Sequence, residues 1–384
     1  DQLHLDWEYA GERLTEETIK RLAAHLSHAL SGVVAHCETA PKRATRSDYL
    51  LADITQDALD RIDPPKCGST DVYPVTPLQA GMLFHADLNP TDDIYINQMQ
   101  ITLGGISATE LRRAWVMVCN RHTIFRTGFE AVSAGGDYMQ ILHDEAPHDV
   151  RILQNGTLDI GAICKEDRVA GFDLAKPPLS RLTIVEGGSD GINLIWTCHH
   201  LLTDGWSLGT LLGEVLAFAG NPDIALPPAR PFKDHIAALA TRAFDKDIWA
   251  RRLADLEAPT RLSEAFADPE APATNLSLRL PKSLISALDQ RAGMLGITLN
   301  TLFQAALALT LRRFQHDGTL CFGVTTSGRH DMPADQPAVG LYISTLPFGC
   351  TLADQDVDDW LRDLQQQGSD LLSHEGDGLN AIAE

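Results

Sequence analysis

The sequence predicts an α/β protein built as two lobes of similar architecture. Three observations carry that reading. The stretch "GINLIWTCHH" (Gly191–His200) is so continuously apolar that it reads as a strand buried on both faces. Strand and helix signals alternate along most of the chain, and several helices carry a recognisable start, such as the Ser107/Glu110 capping-box spacing. The coarse order of strands and helices recurs on either side of an irregular stretch, "GNPDIALPPARPFKDH" (Gly220–His235). With 384 residues the chain is long enough for two sizeable cores.

Taken in order, "LHLDWEY" (Leu3–Tyr9) has strand character, and a helix begins near Thr15, with Glu16 and Glu17 opposing the positive end of its dipole. Ile19, Leu22, Leu26, Leu30 and Val33 form an apolar stripe on that helix, which requires a packing partner. Residues 39–71 mix charge, proline and small polar residues and read as a linker, with one short helix at Gln56–Ile62. The N-terminal lobe, 72–220, opens with "VYPVTPLQAGMLFHA", where Leu78, Met82 and Phe84 mark the buried side of a helix. A strand "YINQMQITL", a helix over Ala108–His122, strands near Tyr138–Leu142 and Leu182–Glu186, and the strand at Gly191 follow. Leu208, Leu211, Leu212 and Val215 then mark a helix, and 221–240 reads as a crossover. In the C-terminal lobe, 241–384, "SLRLP" reads as a strand and "KSLISALDQRAGMLG" as a helix ended by Gly296. Thr298 caps a helix, "LNTLFQAALALTLRRF", apolar nearly all round and so expected to be central. "TLCFGVTTSGR" repeats the theme of a buried strand ending in small residues.

Composition narrows the function classes. No apolar run reaches the roughly 20 residues of a membrane span, and the first residues lack the basic start and apolar core of a signal peptide, so a cytoplasmic protein without a membrane partner is expected. Seven scattered cysteines without a C-x-x-C pair suggest neither a disulfide framework nor a zinc knuckle. A formal net charge of −21 repels phosphate backbones and argues against nucleic acid as a partner.

The chemistry concentrates in four places. In "TCHHLLTDGWS" (Thr197–Ser207) two histidines precede an Asp-Gly pair. One reading is a strand end with one buried and one wet histidine; the other is a base presented at a cleft by a glycine turn. For a metal, His200 and Asp204 supply at most two ligands, so no metal is expected. Neither G-x-S-x-G nor a Cys with an assignable His and Asn is present, which leaves direct transfer between two bound substrates. "RHTIFRTGF" (Arg121–Phe129) is either a helix end with solvated charges or the source of a guanidinium that pairs with Asp204 and holds the turn. "TTSGRH" (Thr325–His330) and "VGLYISTLP" (Val339–Pro347) are strands running into small residues.

Together these stretches resemble condensation domains of nonribosomal peptide synthetases. "HHLLTDGWS" is similar to their HHxxxDG motif, and "YPVTPLQAGMLFHA", "RHTIFRTGF", "TTSGR" and "VGLYISTLP" fall, in order, where that family has its own motifs, over Val72–Glu384. The resemblance implies two chloramphenicol-acetyltransferase-like lobes forming a V-shaped pseudo-dimer with a central tunnel. Donor and acceptor carrier proteins would insert phosphopantetheine arms from its two ends, with no cofactor bound by the domain itself. The acceptor's amine would attack the donor's thioester carbonyl. Carried over, His200 is the catalytic histidine, His199 its partner and Gly205 a residue whose backbone lies beside the reacting centre. Asp204, Arg121 and Arg126 support the site, and Trp206, Ser327, Arg329 and Ser344 line the tunnel. Whether His200 acts as base or as electrostatic positioner stays open.

"TPLQAGMLFHA", "HHLLTDGWSL" and "APTRL" near Ala258 resemble the subtype that joins a D-configured donor to an L-configured acceptor. Residues 1–38 resemble the closing strand and helix of a preceding family member of the condensation or epimerization type, and a downstream adenylation domain is the expected neighbour. The chain departs from the pattern at Ser344, where the family usually carries asparagine, and in ending at "LNAIAE", before the family's last strands and helix; residues 1–38 are a candidate to fill that place. The alternatives are an epimerization domain, a non-catalytic recruiting domain of the same fold, and an acyltransferase using free coenzyme A thioesters.

Overall fold

The computed structural model describes residues 4–40, 43–62, 64, 68–90, 93–133, 136–154, 158–188, 191–256, 260, 276–314, 319–333, 336–351 and 354–383. They form two compact units, Asp1–Thr45 and Arg46–Glu384. "APTRL" lies outside the described residues except for Thr260.

In the first unit α1 (Glu16–Thr39) starts where expected: the Thr15 hydroxyl accepts from the Thr18 N–H, and Glu16 and Glu17 occupy the first turn. Residues 4–10 form no strand, contrary to the reading of "LHLDWEY". Described residues of this unit offer no second strand, and a lone extended segment cannot satisfy its backbone by a ladder. Ile19 is the one buried residue of α1, whereas Leu22, Leu26, Leu30 and Val33 are exposed and the stripe finds no cover here.

The second unit begins earlier than the linker reading of 39–71 allows. Tyr49, Ala52 and Ile54 are buried, as are Ala58, Leu59 and Ile62 on α2 (Gln56–Ile62), so this stretch belongs to a core despite its charges and prolines. Next in the chain come β1 (Ser69–Pro74), α3 (Pro77–Leu88), β2 (Ile96–Leu103), α4 (Ala108–Arg121), β3 (Thr127–Ala131), β4 (Tyr138–His143), β5 (Asp149–Gln154), α5 (Ile160–Ala170), β6 (Ser180–Gly188), β7 (Gly191–His199) and α6 (Gly205–Gly220). Both capping boxes form, Thr76/Gln79 on α3 and Ser107/Glu110 on α4. On α3 the buried residues are Gln79, Met82 and Leu83, while Phe84, expected inside, faces out.

Strands β1, β4 and β3 make an antiparallel sheet in that order, and β2, β7, β6 and β5 make a second one. In the second sheet β5 and β6 are parallel, joined by the α5 crossover, and the other pairs are antiparallel. The apolar run at Gly191 is β7, bonded on both edges and buried along nearly all its length, as its composition requires. Helices α4 and α6 pack together over this sheet, with Leu111, Val118, Leu182, Trp196, Leu211 and Val215 in one core. The Trp115 ring meets those of Trp196 and Phe125 edge-on at 5.5 and 5.7 Å.

The rest comprises α7 (Phe232–Ala240), α8 (Lys246–Arg252), α9 (Lys282–Leu295), α10 (Leu299–Leu311), β8 (Leu320–Thr326), β9 (Ser344–Cys350), α11 (Val357–Leu371) and α12 (Leu379–Ala383). A second core gathers Trp249, Leu295, Leu320, Phe348, Trp360 and Leu364. The crossover assigned to 221–240 ends in α7, whose Phe232 and Ile236 join Val339, Leu341 and Tyr342 in the first core. That shared core joins the two halves of this unit.

The likeness of the two halves is looser than expected. Among the described residues the second half has two strands, β8 and β9, against seven in the first. "SLRLP" forms no strand, and Leu276 and Leu278 beside and within it are exposed. Helix α10 is not central: its buried residues are the small Thr301, Ala305 and Ala308, and Phe303, Leu307 and Leu309 face out. Strand β8 is half-buried for the same reason, having one partner. Among the described residues no single helix is long and apolar enough to cross a membrane, and α9 and α10, which pass that test only together, are bent by 104°.

Candidate active site

β7 delivers the two histidines to the sheet edge nearest the start of β2, where Ile96 is registered against His199. The His199 N–H donates to the Leu179 carbonyl (3.0 Å) and the His200 N–H to the Tyr95 carbonyl (2.8 Å), so the residues just before β6 and β2 hold the doublet. Beyond it the chain turns, and α6 starts at Gly205 with Asp204 as its cap.

The two rings face opposite chemistry. His199 is buried, and its Nδ1 accepts from the Leu201 N–H (3.2 Å). Burial, with the neighbouring His200 as a smaller cause, pushes its pKa down to about 4, so at neutral pH it is an uncharged acceptor inside the turn. The His200 Nδ1 lies 2.8 Å from the Thr203 carbonyl oxygen. A carbonyl oxygen can only accept, so Nδ1 carries the proton and Nε2 of the neutral ring keeps its lone pair. That tautomer is the one a proton acceptor needs.

Asp204 is at the centre of a dense hydrogen-bond cluster. Its Oδ1 accepts from the Ser207 N–H and Oγ (both 2.9 Å) and from Arg329 Nη2 (2.9 Å). Its Oδ2 accepts from Arg329 Nη1 (2.8 Å) and from the Tyr342 N–H (2.9 Å). The carboxylate is fully withdrawn from solvent, and the bidentate guanidinium with three further donors offsets the cost of its burial. Ser207 Oγ extends the cluster: its single proton is shared between Asp204 Oδ1 and the Gly340 carbonyl (2.9 Å each), and it accepts from the Gly340 N–H (3.1 Å). The first turn of α6 is thereby tied to both motifs of the second half, 325–330 and 339–347.

This arrangement corrects one expectation. The guanidinium on Asp204 belongs to Arg329 and not to "RHTIFRTGF". Arg121 Nε instead donates to Glu214 on α6 (3.1 Å) and its Nη2 to the Pro227 carbonyl, while Arg126 Nη1 donates to the Asn120 carbonyl (3.1 Å). Arg329, expected along the tunnel, also donates to Ser207 Oγ and the Ser327 carbonyl (both 3.0 Å), and it lies over the Tyr342 ring at 4.4 Å. Ser327 accepts from the Arg329 N–H through its Oγ (3.3 Å) and belongs to the same brace.

A cavity of ≈ 360 Å³ opens between α3, α7, the segment Tyr342–Thr345 and the loop Gly376–Asn380. Its lining is largely apolar, with Leu78, Met82, Leu239 and Ile343, and includes Ser344, whose Oγ accepts from the Gly376 N–H (3.3 Å). His235 also borders it, its pKa pushed down to about 4 by burial first and then by nearby arginines. His200 does not line this cavity itself; Tyr95, whose carbonyl holds the His200 N–H, does. Trp206 is 55% exposed and is not in the lining either. At Gly205 a Cβ would meet nothing within 4 Å, so the glycine leaves bare backbone at the exposed start of α6.

Three supports were not legible as such. Gln79 of "TPLQAGMLFHA" is fully buried, and its Nε2 donates to the Leu201 carbonyl (3.1 Å) just beyond the doublet. His122 Nε2 lies 2.7 Å from Glu214, closing a buried Arg121–Glu214–His122 group between α4 and α6. Burial pushes the Glu214 carboxyl up, but the His122 bond and the His122 and Arg121 charges outweigh it and hold the pKa below the usual range. Tyr95 completes the set through its contacts with both histidines. Gln79 and His122 sit inside motifs already singled out, which is the signal that pointed near them.

A family model described as a condensation domain matches residues 69–384. A linear gramicidin synthase polypeptide of Brevibacillus parabrevis is 31% identical over 396 residues, covering 98% of this chain and 5% of that protein. A mycosubtilin synthase polypeptide of Bacillus subtilis is 29% identical over 367 residues, 90% of this chain and 14% of that protein. The chain therefore spans a small fraction of these curated relatives. Among solved structures, a holo four-domain nonribosomal peptide synthetase bound to AMP and glycine has a TM-score of 0.67 at 18% identity, covering 81% of this chain and 25% of that one. The first condensation domain of the calcium-dependent antibiotic synthetase, with a substrate analogue, has a TM-score of 0.64 at 19% identity, covering 80% and 76%. These two likenesses concern the fold.

Proposed function

The chain belongs to the condensation-domain family, and from that premise we propose that it forms peptide bonds between two substrates carried as thioesters on the phosphopantetheine arms of a donor and an acceptor carrier domain. The observation that carries the reading is the protonation pattern at His200. Nδ1 is committed to the Thr203 carbonyl, so Nε2 is available to an amine. The acceptor's α-amine attacks the donor's thioester carbonyl carbon; the C–N bond forms, the C–S bond breaks, and the donor arm leaves as thiolate. Nε2 of His200 accepts a hydrogen bond or the proton from the attacking nitrogen, and the proton ends on the leaving sulfur.

In this reading His199 positions rather than reacts, since its Nδ1 is occupied by the Leu201 N–H. Gly205 offers bare backbone at the positive end of α6, beside which the developing oxyanion gains stabilisation. Asp204 and Arg329 hold that helix start in place, and Ser344 contributes wall to the cavity. A positioned base contributes typically about 10²–10⁴-fold, and alignment of two bound reactants up to about 7–11 kcal/mol.

The finer reading is a donor ending in a D-residue and an L-configured acceptor, with residues 1–38 as the end of a preceding, epimerization-type domain, an adenylation domain downstream, and a cytoplasmic location. It is supported by the quoted motifs and by similarity to the gramicidin synthase over 98% of the chain, beyond the 69–384 matched by the family model. Intact-mass spectrometry of both carriers tests the function. The acceptor carrier gains the donor acyl group's mass if the proposal holds. An unchanged mass with an inverted α-carbon makes the chain an epimerase, and product from a soluble coenzyme A thioester without a donor carrier makes it a free acyltransferase.

A further inference from the structure

A second cavity, of ≈ 710 Å³, lies on the far side of Tyr95 from the first, lined by the end of α3, the start of β2, the end of α5 with the residues after it, and His199. The two cavities differ in character. The first is largely apolar, whereas the second is mixed, with Asp87, Asp93 and Arg168 beside Ile94, Phe172 and Leu174. They share two residues, His85 and Tyr95.

Those two side chains are joined. His85 Nδ1 lies 2.8 Å from the Tyr95 hydroxyl, and their rings stack at 6.2 Å with 19° between planes. On its other side the Tyr95 ring is 6.2 Å from His199, and the Tyr95 carbonyl accepts from the His200 N–H (2.8 Å). A continuous row, His85–Tyr95–His199, therefore runs from the third turn of α3 to the doublet, with one compartment on each side.

We propose that the His85–Tyr95 pair is a specificity-determining wall: it closes the first cavity against the second, and so sets the size of the apolar substrate side chain that the first admits. The inference rests on the peptide-bond-forming reading above. The apolar compartment suits an aliphatic or aromatic side chain of an aminoacyl substrate, whose burial against Leu78, Met82 and Ile343 is favourable. While the pair stands it separates this space from the second cavity, so a side chain too long for the first is refused. Removing either ring merges the two spaces.

The test uses the whole chain with carrier-bound donor and acceptor, varying the side chain of each in turn through alanyl, leucyl and tryptophanyl, in wild type, His85→Ala, Tyr95→Ala and Tyr95→Phe. In one of the two series His85→Ala and Tyr95→Ala raise the tryptophanyl-to-alanyl ratio of kcat/KM by about tenfold or more, the scale on which pocket size discriminates. Tyr95→Phe keeps the ring and holds the ratio within about threefold of wild type. Equal losses on all substrates, or an unchanged ratio in both alanine variants, overturn the wall while leaving peptide-bond formation intact. If one alanine variant does not fold, the other decides. A wild type that makes no peptide with any pair removes the underlying function, and the wall with it.

Discussion

His199 and His200 are chemically identical side chains one residue apart, and their hydrogen bonds alone separate a structural acceptor from an available one. Burial of a neutral imidazole makes a stability prediction. His199 and His235 are both held neutral, with pKa values pushed down to about 4 from an ordinary 6.5. Below pH 6.5 the unfolded chain binds protons that the folded one refuses, so their contribution is intact above pH 6.5 and declines as pH falls toward 4. The urea midpoint should therefore drop between pH 7 and pH 4.5, and His199→Asn should flatten that decline. A wild-type midpoint that is level over this range, or a variant with the same slope, contradicts the assignment. Glu214 is shifted in the opposite sense to an ordinary buried carboxylate, its pKa being lowered, so its contribution survives most of that range and is lost below it, as pH falls through the folded-state pKa.

At the scale of elements, the decisive bond joins the start of α6 to a loop 125 residues away, Arg329 to Asp204. Arg329→Ala leaves a buried carboxylate without its counter-charge and should cost about 3–5 kcal/mol in chemical denaturation. Arg126→Ala, which gives up one bond to the Asn120 carbonyl, should cost far less. Equal losses would mean that the brace is misassigned. Gly328 provides a further check: its φ is +65°, and a Cβ would run into the Tyr342 carbonyl oxygen, so Gly328→Ala should disturb the same brace. Which arginine meets Asp204 was not legible, because two arginines upstream of the doublet and one far downstream are equally suited by residue type. Local signals fared better: the caps at Thr15, Ser107 and Thr298, and the αL glycine at 296, all act where their spacing places them. Apolar composition misled at Leu278 and along α10, where the described residues leave apolar side chains exposed, since a pattern records what a segment can bury and not what lies against it.

On the scale of the whole molecule, the Arg46–Glu384 unit carries His199 and His200, their braces and both cavities, and one core is shared between its halves. A chain beginning at Arg46 should therefore unfold cooperatively with a midpoint close to that of the full chain; loss of cooperative unfolding would make residues 1–45 part of the same folding unit. The two halves meet where Ser207, Asp204 and Tyr342 bond, so disturbing that junction should reach the reaction without touching substrate. The proposed reaction turns on one lone pair, Nε2 of His200. Single-turnover peptide formation with donor and acceptor both preloaded on their carriers, in wild type and His200→Ala, tests it most directly. A fall of about 10²–10⁴-fold in the rate of acyl transfer, with folding and carrier binding unchanged, is the expected result. A variant that transfers at the wild-type rate would contradict it.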